Sequence, residues 1–274
     1  MNNVQHKILE IVEYFDRFCN NHNINYFLMG GSALGAIRHK GFIPWDDDFD
    51  VFMLPSDYYS FIEACESKLD SQRFYLQRER TDEWPLYFSK LRMNGTTFIE
   101  KDTIDRVMHK GFYIDIMCLN FTTKNLVVRY LQYFSARLLT VATLNARGYK
   151  TDNLLKKVVL KILSPLITNS VQNFLLKIVQ VFNRRTTSYL GHFFGRAKFA
   201  NTCFPKTLIG NGRKVRFENL YLPVLDNVES YLEIRYGREF MKMPSKKTRD
   251  MYPNHFIYAN PDMDYKSFKK ESLE

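Results

Sequence analysis

The sequence is poor in three features. Its 274 residues hold four cysteines, Cys19, Cys65, Cys118 and Cys203, far apart in the chain. None forms a Cys-x-x-Cys pair, so neither a zinc site nor a disulfide framework is expected, and the four read as buried, reduced thiols. No uninterrupted apolar run reaches the ~18 residues of a membrane-spanning helix. The polar opening Met1–Lys7 lacks the apolar core of a signal peptide, so a cytoplasmic location is expected. Acids are scarce in one region only: between Lys124 and Lys198 thirteen Lys or Arg stand against Asp152 alone. That segment accounts for more than the whole net charge of +10, so the basicity is local rather than spread over the surface. A hydrophobic content of 45% is enough for one large domain or a domain with an insert.

The chain is organised around residues 24–53. Ile24–Met29 is apolar or aromatic apart from Asn25 and suits a buried strand. Gly30-Gly31 permits a sharp turn and a close approach to a ligand. Ser32 is expected to cap a following helix whose free N–H groups suit a phosphate. After a loop come Asp46, Asp47, Asp48 and Asp50, interleaved with Trp45, Phe49, Val51 and Phe52. Asp48 and Asp50 stand at two-residue spacing and so share one face of a strand. Carboxylates held that close repel unless a cation lies between them, and hard oxygen ligands favour Mg²⁺ or Mn²⁺. The plainer alternative is a solvated acidic turn, but the core-type residues between the acids weigh against it. A phosphate cradle followed by a carboxylate pair is apparatus for phosphoryl transfer.

Elsewhere, Val4–Asn21 has helical apolar spacing and reads as a packing helix. Ser56 reads as the N-cap of a helix to about Leu69, and Phe74–Gln77 as a short strand. Leu86–Arg92 and Thr96–Lys101 read as two strands joined in a hairpin at Asn94-Gly95. Lys90 and Arg92 share a face of the first, either reaching a substrate phosphate or lying solvated on an edge strand. Gly111–Leu119 is a buried-looking strand whose one charge is Asp115. A lone buried carboxylate needs a partner, either the metal at Asp48 and Asp50 or a nearby Arg.

The run Gly30-Gly-Ser-Ala-Leu-Gly-Ala-Ile-Arg-His-Lys-Gly-Phe-Ile-Pro-Trp-Asp-Asp-Asp-Phe-Asp-Val51 resembles the signature of the LicD family, which lies in the nucleotidyltransferase-fold superfamily. Phe88-Ser-Lys-Leu-Arg92 and the segments around Glu218-Asn-Leu-Tyr-Leu-Pro223 and Arg235-Tyr-Gly-Arg-Glu-Phe-Met241 are similar to family segments too. Met117-Cys-Leu-Asn120 departs from the usual continuation after the Ile-Asp-Ile. The resemblance implies an α+β protein with a nucleotidyltransferase-like mixed sheet flanked by helices. It implies that Asp48, Asp50 and Asp115 hold Mg²⁺ or Mn²⁺ and act catalytically. The donor would be bound by Gly30, Gly31, Ser32, Arg38, His39, Lys40 and Lys90. His39 is equally well explained by a structural hydrogen bond and is not proposed as a base. Asp46 and Asp47 would tune the metal ligands. Trp45 could stack on a base or a choline cation, with packing the plainer role.

The implied reaction is transfer of a phospho-alcohol, commonly phosphocholine from CDP-choline, to a hydroxyl of a cell-surface glycan, with release of CMP. The acceptor would be lipopolysaccharide, teichoic acid, capsule or a lipid-linked glycan. Transfer of the nucleotide itself, or a non-enzymatic membrane-surface scaffold, are the alternatives. Three parts are expected: a catalytic core over 1–122, a basic helical lobe over 123–200, and a C-terminal mixed segment over 201–274. The lobe shows apolar stripes at Leu126–Leu139, Leu154–Leu163 and Phe174–Phe182. Its basic surface is a solvated face or rests on an anionic membrane; nucleic acid is not expected. Val215–Val224 reads as a strand pair and Asn227–Tyr236 as a helix closed by Gly237. The tail after Pro261 is polar and expected to be disordered.

Overall fold

The computed structural model describes residues 1–146, 158, 166–250 and 254–273. The expected stripe Leu154–Leu163 lies outside the described residues apart from Val158. The protein is a mixed α+β fold. Helix α1 (Asn3–Asn21) opens on a reciprocal cap, in which Asn2 accepts from the Gln5 N–H and Gln5 accepts from the Asn2 N–H. It buries Ile8, Ile11, Val12, Phe15, Phe18 and Cys19 against the main core. Strand β1 (Phe27–Leu28) leads into α2 (Gly30–His39), and β2 (Asp50–Met53) follows the acidic loop. Helix α3 (Pro55–Lys68) begins one residue before Ser56, on a proline whose missing N–H costs nothing in the first turn; Leu54, not Ser56, holds the cap position.

Next come β3 (Phe74–Gln77), β4 (Ser89–Met93), β5 (Thr97–Glu100) and β6 (Tyr113–Cys118). The central sheet runs β1-β2-β6-β4-β3, with β2 and β6 parallel and the other neighbours antiparallel. The expected hairpin is overturned here. Gly95, at φ +70°, makes the turn, but β4 pairs with β3 and β6 while β5 leaves to pair with another strand. All five residues of β4 are buried, so Lys90 and Arg92 lie mid-sheet and not on a solvated edge.

Strand β7 (Asn120–Thr122), helix α4 (Leu126–Ala146), helix α5 (Asn169–Val179), β8 (Tyr189–Gly191) and β9 (Cys203–Pro205) follow. The order β7-β8-β9 forms a second small sheet beneath the packed pair α4 and α5. The pair β10 (Arg213–Phe217) and β11 (Leu220–Val224) is the expected hairpin, and α6 (Val228–Tyr236) ends at Gly237 with φ +91°. After the one-turn helix α7 (Lys246–Arg249), β12 (Phe256–Asn260) pairs antiparallel with β5.

The tail is therefore folded, against expectation. Beyond Pro261 the Tyr265 N–H donates to Thr96 O at 3.1 Å, and the Tyr265 ring packs on His109. Backbone pairing and ring contacts hold what composition alone marked as loose. All four cysteines are free, with Cys19 and Cys65 buried and Cys118 and Cys203 half-buried. Among the described residues no helix is long and apolar enough to cross a membrane.

Candidate active site

The acidic loop is fixed from three sides. Gln5, buried on α1, donates to Ile43 O (3.1 Å) and Asp46 O (2.9 Å). Glu218, at the β10–β11 turn, accepts from the Phe42 N–H at 2.9 Å. Ser32 does not cap α2: Met29 holds that position without a side-chain bond, and Ser32 Oγ instead accepts from the Asp50 N–H at 2.8 Å. The hydroxyl is one turn too far into the helix to cap it, and it locks the start of β2 to α2.

Asp50 and Asp115 are cross-strand partners on the parallel pair β2 and β6, so their side chains leave the sheet on one face. The Asp115 N–H donates to Phe49 O at 2.9 Å, which fixes that register. Gly30 has φ +61°, and a Cβ there would stand 3.5 Å from Asp50 Oδ2. A Cβ on Gly31 would meet Asp46 Oδ2 at 3.1 Å. The two-glycine turn thus lets two carboxylates reach the start of α2. The Gly30 N–H is already taken by the Tyr231 hydroxyl at 3.0 Å, so it is not a free donor for a phosphate in this state.

Asp115 has a buried cation beside it. Lys90 Nζ lies 2.8 Å from Asp115 Oδ1, and its ammonium stands 3.2 Å from the centre of the Tyr113 ring. Arg92, fully buried, donates to Gln77 Oε1 (2.7 Å) and Gly111 O (2.8 Å). Glu100 accepts from the Tyr113 hydroxyl at 2.9 Å. Burial alone would raise Glu100, but Lys90 and Arg92 outweigh it and hold its carboxyl below the ordinary range.

The acids nearest the glycine turn behave oppositely. Burial, then the Asp48 charge, pushes Asp46 up to about 8. Burial, then Asp48 and Asp115, raises Asp50 well above a usual carboxylate. Burial raises Asp115 against the pull of Lys90. These raised values have two causes: burial, the larger, and the mutual repulsion of acids that Lys90 offsets only in part. Among the described residues, no three Asp, Glu, His or Cys side chains stand ready-made around one ion. The chemistry of the donors still fits a hard divalent cation: buried carboxylate oxygens that repel one another.

The other expected donor-binding residues face elsewhere. Arg38 donates to Phe240 O (3.0 Å) and Lys242 O (3.3 Å) in the loop after α6. His39 lies edge-on to Trp45, and burial, then Arg38, lowers its pKa. Lys40, exposed and left-handed at φ +60°, ends α2 and donates to Ile37 O. The structure brings together Gly30, Gly31, Ser32, Asp46, Asp48, Asp50, Asp115 and Lys90, and places Arg38, His39 and Lys40 at the far end of α2.

Three neighbours were not anticipated. His255 Nδ1 lies 2.6 Å from Asp47 Oδ1, and its backbone N–H donates to Asp47 Oδ2 at 2.7 Å. The Asp47 bond, opposed by burial and helped by Asp48, raises His255 to about 9. Tyr231 holds the Gly30 N–H, and the Tyr236 hydroxyl would sit 3.9 Å from a Cβ on Gly30. The run Phe256-Ile-Tyr-Ala259, rich in strand-forming residues, was a signal that a strand follows His255.

Comparison with known proteins places this site in context. Residues 23–137, which contain the glycine turn and every acid from Asp46 to Asp115, match the LicD/FKTN/FKRP nucleotidyltransferase domain. Over 257 residues the chain is 26% identical to the lipopolysaccharide cholinephosphotransferase LicD of Haemophilus influenzae, covering 92% of this chain and 94% of that protein. Shorter stretches match uncharacterized proteins of Rickettsia typhi, 46% identical over 39 residues, and Rickettsia prowazekii, 49% identical over 35. These cover 14% and 13% of this chain, and 13% of each relative.

Proposed function

Taking as premise that residues 23–137 form a LicD-family domain, we propose that the protein transfers a phospho-alcohol, phosphocholine first among them, from a CDP-alcohol donor to a glycan hydroxyl. The acceptor class favoured is lipopolysaccharide, as the name of the Haemophilus relative states for that protein. In this reading the central sheet with α2 is a nucleotidyltransferase-like core. The observation that carries the proposal is the pairing of Asp50 with Asp115 on one sheet face, beside a helix that starts on two glycines.

Asp48, Asp50 and Asp115 would hold Mg²⁺ or Mn²⁺, and such an ion supplies charge neutralisation to donor phosphates. The chain's own residues do the rest. The start of α2 stands beside the carboxylate cluster, where an anionic donor gains from the helix terminus. Ser32 and Gln5 fix the backbone of the acidic loop, so the carboxylates do not have to be ordered when substrate arrives. Lys90 offsets part of the burial that raises Asp115, and a raised carboxyl beside the cluster suits it to accept the proton of an attacking hydroxyl. His255 holds Asp47 out of the cluster and so limits the number of free acids there.

The test uses CDP-choline labelled in turn on choline and on cytidine, with Mg²⁺ and lipopolysaccharide. Choline label on the glycan, lost in Asp50→Asn, supports the reading. Cytidine label on the acceptor would replace it with nucleotidyl transfer.

A further inference from the structure

Helix α4 is built inside out. Its buried side carries Gln132, Ser135, Ala136, Leu139, Ala142 and Thr143, small or polar for the most part. Gln132 satisfies its amide by donating to Phe121 O and Val179 O. The opposite side carries Leu126 (59% exposed), Val127 (66%), Tyr130 (45%), Leu131 (58%) and Phe134 (59%). These positions follow one another at spacings of one and three residues and form a single apolar face two turns long. A helix that already buries one side in a core and shows bulky apolar groups to water on the other is marking a contact surface.

The charge around that face has one sign. Among the described residues from Ile116 to Phe217 there is no Asp or Glu. Exposed Lys124 stands at the start of α4, and exposed Lys198 precedes Phe199, whose ring stacks on Tyr130 at 3.8 Å. Apolar side chains flanked by cations complement a surface that is apolar below and negative above: the headgroup layer of an anionic bilayer. A second copy of the chain fits less well, because a two-fold contact through α4 would set Lys124 and Lys198 against a surface of like charge.

We propose that the exposed face of α4 docks on an anionic lipid surface, with Leu126, Val127, Leu131 and Phe134 entering the headgroup layer and Lys124 and Lys198 meeting lipid phosphates. This does not rest on the transferase reading, since docking needs neither donor nor acceptor.

The full chain is sedimented with phosphatidylcholine vesicles and with vesicles about one third phosphatidylglycerol. Binding to the anionic vesicles, weaker in high salt, and a drop of at least about tenfold in partitioning for Leu131→Asp/Phe134→Asp are expected. Both side chains are exposed, so the double variant should keep the parent melting temperature. A conservative second probe, Phe134→Trp, should gain blue-shifted emission on anionic vesicles relative to the parent. Equal binding by parent and double variant, or an unshifted emission from the Phe134→Trp variant, overturns the proposal. So does a parent that is dimeric in solution and becomes monomeric in the double variant, which would assign the face to a second copy.

Discussion

Lys90 and Asp115 form an ion pair inside the sheet, 2.8 Å apart, with the side chain of Lys90 only 3% exposed. Neither charge is at home there alone. Replacing Lys90 with Met leaves Asp115 facing Asp50 and Glu100 without its cation. A loss of about 3 kcal/mol is expected in chelator, measured by denaturant unfolding. Added Mg²⁺ should restore part of it in Lys90→Met, because a bound cation supplies the missing charge.

Asp50 reports the opposite imbalance. Its carboxyl is raised by burial and by Asp48 and Asp115, so the fold opposes its charged form. A group raised in the folded state costs stability as pH rises past the ordinary carboxylate range. Asp50→Asn should therefore stabilise the chelator-treated protein at neutral pH by on the order of 1–2 kcal/mol. The same change should abolish any rise in Tm that Mg²⁺ or Mn²⁺ gives the parent. A variant less stable than the parent in chelator would contradict the charge reading.

Two glycines separate steric from conformational cost. A Cβ on Gly35 would meet Gly41 O at 2.5 Å, and a backbone oxygen cannot swing away. Gly35→Ala should lose about 2–3 kcal/mol and most transfer activity, since Gly41 opens the loop that carries the acids. Gly95 has open space around it but φ +70°, so Gly95→Ala should cost about 1–2 kcal/mol and leave kcat unchanged.

His109 gives a pH signature away from the acids. Its Nδ1 accepts from the Gly111 N–H at 3.0 Å and its Nε2 lies 2.9 Å from Asn94 Oδ1, a pattern only the neutral ring satisfies. Burial, then the Arg92 charge, lowers it to about 4. The unfolded ring takes up its proton near pH 6.5, so stability should fall between about pH 6.5 and 4, by on the order of 2 kcal/mol. His109→Gln should flatten that slope when melting is followed across the range.

The glycine turn, the acids and Asp115 were legible because their signals are local: two-residue and 3.6-residue periods, and a carboxylate among apolar neighbours. What was lost depended on distant partners. Asn94-Gly95 encodes a turn but not which strands pair, and the burial of β4 on both faces sends β5 to β12. Ser32 is a cap-forming residue, but its hydroxyl is claimed by the Asp50 N–H. The tail looked loose because its composition is polar, while its order comes from Thr96, His109 and β5. Arg38 carries the right charge for a donor phosphate, but the carbonyls of Phe240 and Lys242 take it.

The hold on Asp47 comes from a residue 208 positions further along the chain. During translation the acidic loop leaves the ribosome long before the histidine that secures it, so the cluster spends most of synthesis incomplete. A chain truncated before His255 would carry every acid from Asp46 to Asp115 and leave Asp47 without the partner that holds it. The acidic loop is thus secured only once the segment leading into β12 has been made, which lets a late stretch of chain inspect an early one.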